Sequence, residues 1–409
     1  MEPDEAVVVT GMGVVSPVGC TLPDFWSGLL GGESVARTLD DPEYADLSVP
    51  VGCPVRGFAD CDVITGKEAR RLDPFAQFAL TAAMTAHDDA GAPSPDPAAA
   101  AVVVGNGIGG QRTAEQQGRQ YLTGGPARVN PLMVPTTMPN AAAALIAIRL
   151  GWQGPSLTIS TACASGAHAI GEAYQMVRSG RARVALAGGT EATLTPYALT
   201  GFTNLQATTR RTDDPARASR PFDVDRDGFV MGEGAGFVLL ERLGDARRRG
   251  AEPYARLAGY GSSTDAHHLV MPVDDGAGAV ACMEGALTQA GLGTADVAHI
   301  NAHGTSTRLN DRAEAIAIAK LFGSSAPPVT STKGVTGHLI GGAGAVELVA
   351  SVLALRHGLA PPTANYGRSE PQIEIDVVSG QPRPLRPGAV LSNSFGFGGH
   401  NASLVVDRL

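Results

Sequence analysis

SLTISTACASGAHAIGEAYQMVRSG, Ser156–Gly180, reads as a short strand, a tight corner and a helix. Ala167, Ile170, Tyr174 and Val177 fall on one helical stripe, and Gly180 closes the helix. Cys163 stands in the corner, flanked by Ala162, Ala164 and Gly166. A lone cysteine is more often an inert buried side chain than a reactive one. This one sits at the head of a helix, where the positive end of the dipole favours thiolate and predicts a lowered pKa. Its small neighbours keep the corner tight and leave room for a bulky acyl partner. The logic is that of a strand-to-helix nucleophile turn, without the GxSxG motif itself.

The same kind of unit recurs along the chain. AVVVTGMG, AAAAVVVGNG, RVALAGGTEA, GFVLLERL, VAHINAHGTS, PPVTSTKG and NASLVVDRL read as strands. DPFAQFALTAAMTAHDDAG, GAGAVACMEGALTQAG and GAGAVELVASVLALRHG read as helices. Near-continuous apolar strands separated by helices predict an α/β protein with buried sheets. LTISTACASG and AHINAHGTST share a plan, an apolar strand running into a small-residue corner that carries Cys163 or His303. This points to two related halves with a site between them. A boundary around 243–255 divides the chain into 1–250, holding Cys163, and 251–409, holding His303 and His338.

Composition limits the rest. A chain of 409 residues is long for a single layered domain, and 44% hydrophobic content supports a sizeable core. The net charge of -9 argues against nucleic acid as a partner. Five scattered cysteines, Cys20, Cys53, Cys61, Cys163 and Cys282, have no CxxC spacing and suggest neither disulfides nor zinc. The N-terminus does not read as a signal peptide, and no apolar run approaches the roughly 18 residues of a membrane span. A cytoplasmic location fits these features. Basic clusters at Lys67, Arg70 and Arg71, at Arg210 and Arg211, and at Arg247, Arg248 and Arg249 read by default as solvated faces.

His303 in NAHGTST and His338 in STKGVTGHLIGGAGAVE lie in Gly/Ser/Thr corners after apolar strands. Such corners are where α/β proteins build sites. With Cys163 they form a plausible set for covalent acyl transfer. By itself Lys333 reads as a surface lysine, and Glu314 and Glu347 as ordinary helical carboxylates. LSNSFGFGGHNASLVV can aim a backbone N–H at a developing oxyanion, or be a plain hairpin. Gly105, Gly107 and Gly110 match GxGxxG in form, but no acidic strand end follows at the required distance.

Taken together, these motifs resemble the β-ketoacyl-acyl-carrier-protein synthases, the condensing enzymes of the synthase II kind, with type II polyketide ketosynthases among them. The resemblance runs in order through VVVTGMGVVSPVG, TACASGAHAIG, AGGTEA, SRPFDVDRDGFVMGEGAG, NAHGTSTRLND, STKGVTGHLIGGAGAVE and NSFGFGGHN, covering essentially the whole chain. It implies a thiolase-like fold, two similar halves in a five-layered α-β-α-β-α sandwich. It implies that Cys163 takes an acyl chain as a thioester and that His303 and His338 act on the incoming malonyl thioester. It further implies an oxyanion hole from the N–H groups of Cys163 and Phe397, with Phe397 also a gate. Lys333 and Glu314 match a charged pair that organises the histidines. Thr305 and Thr307 match positions along the pantetheine arm, and Ile108, Met133, Phe202 and Phe395 match the acyl pocket. No cofactor and no metal is expected.

The implied partners are an acyl carrier protein and a second subunit, either an identical copy or a chain-length-factor homologue. Lys67, Arg70 and Arg71 match a docking patch for the acidic carrier. Gln206 stands where many relatives carry a docking arginine, and Arg210 and Arg211 are near enough to compensate. Asn106 replaces a common Ser or Thr. The small side chains of NAAAALIAI suggest a wider acyl tunnel. A coenzyme A-dependent thiolase would need a second catalytic cysteine, and none follows Cys282. A non-catalytic subunit would have no use for Cys163 beside two such histidines.

Overall fold

The computed structural model describes residues 3–58, 63–371 and 373–409, so Cys61 lies outside the described residues. Strands β1 (Val7–Val15), β2 (Ala100–Gly105), β3 (Ser156–Ile159), β4 (Val184–Glu191) and β5 (Gly234–Arg242) come from the first part of the chain. Strands β6 (Ala255–Thr264), β7 (Val297–Asn301), β8 (Val329–Thr330), β9 (Ala389–Gly396) and β10 (His400–Asp407) come from the second. They pair as a 10-stranded sheet in the order β8-β7-β9-β10-β6-β1-β5-β4-β2-β3. Counted within its own part, each set runs third, second, fourth, fifth, first, and the two first strands, β1 and β6, pair antiparallel at the centre. Directions repeat as well. β1·β5·β4 and β6·β10·β9 are antiparallel, while β4·β2·β3 and β9·β7·β8 are parallel.

The repeat is therefore real, but its correspondence differs from the one the sequence suggests. By position in the sheet, the strand leading to Cys163 matches β8, which leads to His338. The strand leading to His303, β7, matches β2, which leads to Asn106. Two corners that look alike in sequence carry no information about where their strands stand in the sheet.

Helices α1 (Pro74–Asp89) and α3 (Ala277–Ala290) cover the outer faces, and α2 (Ser165–Arg178) and α5 (Ala343–His357) lie between the two halves of the sheet, with α4 (Arg308–Phe322) packed against α3. The result is the thiolase-like layering, α-β-α-β-α. Helix α1 begins where Asp73 accepts the Phe75 N–H at 3.2 Å and Pro74 takes the first helical position. Because both faces of the sheet are covered, β1, β2 and β4 are buried along their whole length, which explains their unbroken apolar reading. The stretch Ile340–His357 is long and apolar enough to cross a membrane, with mean hydropathy 1.2, a segment the sequence scan passes over. It is 89% buried inside the fold, as a central core helix.

The two central helices meet almost backbone to backbone. A Cβ on Gly166 would stand 3.0 Å from the Ala345 nitrogen and 3.0 Å from the Gly341 carbonyl oxygen. A Cβ on Gly344 would stand 2.9 Å from the Ala167 nitrogen and 2.6 Å from Ser394 Oγ. Replacing Gly344 by alanine should force α5 away from α2 and cost about 1–3 kcal/mol, the range for overpacking a tight core. Thermal unfolding of Gly344→Ala checks this, and a melting temperature equal to that of the parent would refute it.

Candidate active site

Cys163 sits two residues before α2 begins. Ala162 takes a left-handed φ of 50°, so the chain turns sharply at the nucleophile. Ser165 holds the turn by accepting the Thr161 N–H at 2.9 Å and donating to the Ala162 carbonyl at 2.6 Å. The end of β9 lies against it: a Cβ on Gly396 would be 2.6 Å from the Thr161 oxygen and 3.2 Å from the Cys163 nitrogen. This approach brings the next residue, Phe397, close enough for its backbone N–H to join that of Cys163 at the sulfur.

His338 enters from the loop between β8 and α5. Its N–H donates to Val230 O at 2.7 Å and its carbonyl accepts from Gly232 N at 2.9 Å. Its Nε2 lies 3.0 Å from Cys163 Sγ. His303 follows β7. Its N–H and that of Gly304 donate to Glu314 at 2.8 and 2.7 Å, and its carbonyl accepts from Lys333 Nζ at 2.5 Å. No side-chain partner among the described residues holds Nδ1 of either ring. The ring planes are set by aromatic edges instead: His303 on His338 at 5.4 Å, Phe229 on His338 at 5.4 Å and Phe395 on His303 at 6.0 Å between centroids.

Desolvation governs the charges. Burial pushes the Cys163 thiol up to about 12, despite the nearby Lys333 charge and the Phe397 N–H. The lowered pKa expected from the helix start is thus overturned, because a dry site penalises thiolate more than a helix beginning two residues away favours it. Burial, reinforced by Lys333, holds His303 and His338 well below the usual imidazole value, so both rings are neutral at pH 7. The resting site is a neutral thiol facing neutral imidazoles.

The expected Lys333–Glu314 pair is also corrected. Lys333 Nζ pairs with Glu347 Oε1, whereas Glu314 spends both oxygens on the His303–Gly304 backbone. Burial lifts the carboxyls of both Glu314 and Glu347 to about 7. The sequence reads Glu347 as an ordinary helical carboxylate, although a signal for more is present: it is the one acidic residue in the apolar run AGAVELVASVL.

A cavity of about 260 Å³ opens from this set. Cys163, His303, His338, Thr305, Thr307, Phe202, Phe395 and Phe397 line it, as do Phe229 and Ile340, which the sequence had not singled out. Ile108 and Met133 are not among its lining residues in the single chain, nor is the NAAAALIAI segment, whose Ala142, Ala143 and Ile146 pack into a core cluster with Phe75 and Trp152. The widened-tunnel expectation has no support there. Gln206 lines the cavity, and next to it Arg210 bonds Asp227 through its N–H at 3.0 Å, while Arg211 donates to Asp225 O at 2.9 Å. Lys67, Arg70 and Arg71 are exposed on and just after the short helix Gly66–Ala69, away from the lining. Of the third basic cluster, Arg249 is a structural residue, held on Glu241. Cys282 is buried in α3 with its thiol on Gly261 O at 3.3 Å.

The thiol and imidazole atoms of Cys163, His303 and His338 lie within 4.8 Å of one another. Two chemistries fit that spacing: a cysteine nucleophile with two N–H donors, or a Cys/His/His metal centre. The backbone N–H groups of Cys163 and Phe397 lie at the sulfur, the arrangement that an acyl oxyanion site requires.

Known proteins share this architecture. Residues 4–246 match the family described as Beta-ketoacyl synthase, N-terminal domain, and residues 254–367 match Beta-ketoacyl synthase, C-terminal domain. A 3-oxoacyl-[acyl-carrier-protein] synthase 2 from Synechocystis sp. is 44% identical over 406 residues, 98% of each chain. Among solved structures, the ishigamide ketosynthase/chain length factor aligns with a TM-score of 0.92 at 32% identity over 99% of each chain. A ketosynthase bound to the hexaketide and solved in complex with its type II PKS acyl-carrier protein aligns with a TM-score of 0.91 at 31% identity, again over 99% of each chain.

The revised ion pair makes a specific prediction. Lys333→Met alone leaves Glu347 buried without its partner and should cost about 3–5 kcal/mol. The double change Lys333→Met with Glu347→Leu should recover most of that loss, while Lys333→Met with Glu314→Leu should not. Denaturant unfolding of the three variants decides between the partners.

Proposed function

Because this chain belongs to the beta-ketoacyl synthase family, we propose that it is a condensing acyltransferase. In this reading it joins an acyl thioester to malonyl-acyl-carrier protein with loss of carbon dioxide and releases a β-ketoacyl-carrier protein. The observation that carries the reading is the 3.0 Å contact between Cys163 Sγ and His338 Nε2 at the head of a mostly apolar cavity.

In the first half-reaction the Cys163 sulfur attacks the acyl-carrier thioester. Its proton is handed to the departing carrier sulfur, so the site returns to neutrality and both histidines keep their N–H groups. The tetrahedral oxyanion is held by the N–H groups of Cys163 and Phe397. In the second half-reaction malonyl-carrier protein enters along Thr305 and Thr307. Its carboxylate departs as carbon dioxide, leaving the bonding pair as an enolate whose oxygen accepts N–H bonds from His303 and His338. Decarboxylation generates the carbanion itself, so the histidines need to be donors and not strong bases. The carbanion attacks the acyl-Cys163 carbonyl, the Cys163 sulfur is expelled as thiolate, and a proton taken from solvent restores the thiol and completes the cycle. Lys333, Glu347 and Glu314 hold the histidine turns, and Phe202, Phe395 and Phe397 border the chain. Ile108 and Met133 join the pocket in the assembled dimer.

Residues 1–250 supply the nucleophile and 251–409 the histidines. The carrier protein docks on Lys67, Arg70 and Arg71, with Arg210 and Arg211 at the mouth. The enzyme works as a dimer in the cytoplasm, where a catalytic thiol stays reduced. High identity along the whole chain with a 3-oxoacyl-[acyl-carrier-protein] synthase 2 supports a place in fatty-acid synthesis. The ketosynthase/chain length factor likeness supports the second reading, the catalytic subunit of a polyketide heterodimer. Co-purification with a cysteine-less homologue separates the two.

Acyl- and malonyl-carrier proteins supplied together should yield carbon dioxide and an acyl adduct on Cys163, followed by mass spectrometry. Cys163→Ala should abolish the adduct. His303→Ala and His338→Ala should each lower kcat by about 10²–10³-fold, the effect of one lost oxyanion donor. Chelators should leave turnover unchanged, and inactivation by EDTA would favour the metal alternative. Arg70→Glu should raise KM for the carrier substrate much more than it lowers kcat; equal KM values would remove Arg70 from the docking patch.

A further inference from the structure

Glu191 ends β4 wholly buried, behind the wall of the cavity and outside the catalytic steps above. Its Oε2 accepts N–H bonds from Gly107 at 2.8 Å and Gly341 at 3.1 Å. Its Oε1 accepts from Asn106 Nδ2 at 3.3 Å and the Ile108 N–H at 3.4 Å. Two turns thus share one carboxylate. They also touch directly, since a Cβ on Gly341 would stand 2.4 Å from the Gly107 nitrogen, and one on Gly107 would stand 3.2 Å from Ile340 Cγ2. Ile340 holds a left-handed φ of 45° and lines the cavity beside His338.

The second half of the fold gives this arrangement a meaning. There the turn after β7 carries His303, and the His303 and Gly304 N–H groups are held by another buried carboxylate, Glu314. The turn after β2 occupies the matching place in the first half, and Glu191 holds the Gly107 and Ile108 N–H groups in the same manner. One copy of the device fixes a catalytic ring. The other fixes a turn that carries Ile108 and backs Ile340.

We infer that Glu191 is a positioning residue that clamps the Gly107–Ile108 turn to the Ile340–Gly341 turn and so sets how long an acyl chain the site accepts. A chain on Cys163 lies against Ile340, and Ile340 is backed by the Gly107–Ile108 turn. A lengthening chain therefore loads both turns, and the shared carboxylate determines whether they yield together or separately. The inference rests on the condensing-enzyme reading.

Glu191→Gln tests it. The amide keeps the shape of the carboxylate but turns an NH₂ toward two N–H donors whichever way it is placed: toward Gly107 and Gly341, which breaks the bridge between the turns, or toward Asn106 and Ile108, which loosens the first turn. Rates of Cys163 acylation are measured by mass spectrometry with acetyl-, hexanoyl- and dodecanoyl-carrier proteins. The ratio of dodecanoyl to acetyl kcat/KM should change by about tenfold relative to the parent. A uniform loss at every length, or an unchanged ratio, overturns the clamp. Asn106→Ala, which removes one donor and keeps the carboxylate, should shift the ratio in the same direction by a smaller factor. If Glu191→Gln fails to fold, that variant decides, and an unchanged ratio in it overturns the proposal. Failure of the parent to acylate Cys163 at any length removes the condensing-enzyme reading and the clamp with it.

Discussion

The backbone contact between the two central helices is the constraint on which the rest of the structure depends. Gly166 and Gly344 keep side chains out of that contact, so α2 and α5 approach as closely as their main chains permit. Cys163 stands just before one helix and His338 in the loop before the other. Their 3.0 Å separation follows from how near the helices come. A bulkier residue at this contact would act on the chemistry without touching substrate. The same logic applies where β9 meets the nucleophile turn at Gly396, because there the Phe397 N–H gains access to the sulfur.

Bringing the groups together in the middle layer also dries them. Burial raises the thiol, lowers both imidazoles and lifts Glu191, Glu314 and Glu347 to about 7. Each shift favours the uncharged form, as a low dielectric requires. Lys333 is buried among these groups and is held by direct contact with Glu347 and by the His303 carbonyl. A neutral site suits a reaction whose negative charge arrives with the malonyl carboxylate, stays on the enolate as carbon dioxide leaves, and ends with a proton taken up by the expelled sulfur. Fixed N–H donors then meet charge only when it develops, in surroundings where a hydrogen bond is strong.

What could be read from the sequence followed range. The strand, corner and helix around Cys163 are local, and their residue types declare them. The apolar strands declare themselves because both faces of the sheet are covered. His303 and His338 were legible as corner residues, and the whole-chain resemblance placed them with the thiol. The pKa of Cys163 was not legible, since the helix start is local and burial comes from β9 and α5, which lie far along the chain. Glu314 and Glu347 were indistinguishable as helical carboxylates. Which of them faces Lys333 depends on α4 packing outside the sheet while α5 packs inside it. The correspondence of the halves was misjudged for a similar reason: strand order is a property of the sheet.

That correspondence explains how one repeated plan yields a site with two kinds of walls. The third strand of each half, at opposite edges of the sheet, leads into the shared site, one to a thiol and the other to an imidazole. The second strand of each half ends in a turn whose N–H groups are captured by a buried carboxylate. In the second half that turn presents His303 to the reacting atoms. In the first it presents Asn106, whose side chain points back to Thr190 O at 2.7 Å and to Glu191. The first-half turn thus keeps the anchoring of a catalytic element without a catalytic side chain. Such rigidity has no role in bond making and every use as a wall, because a chain of defined length is measured only against a surface that does not move.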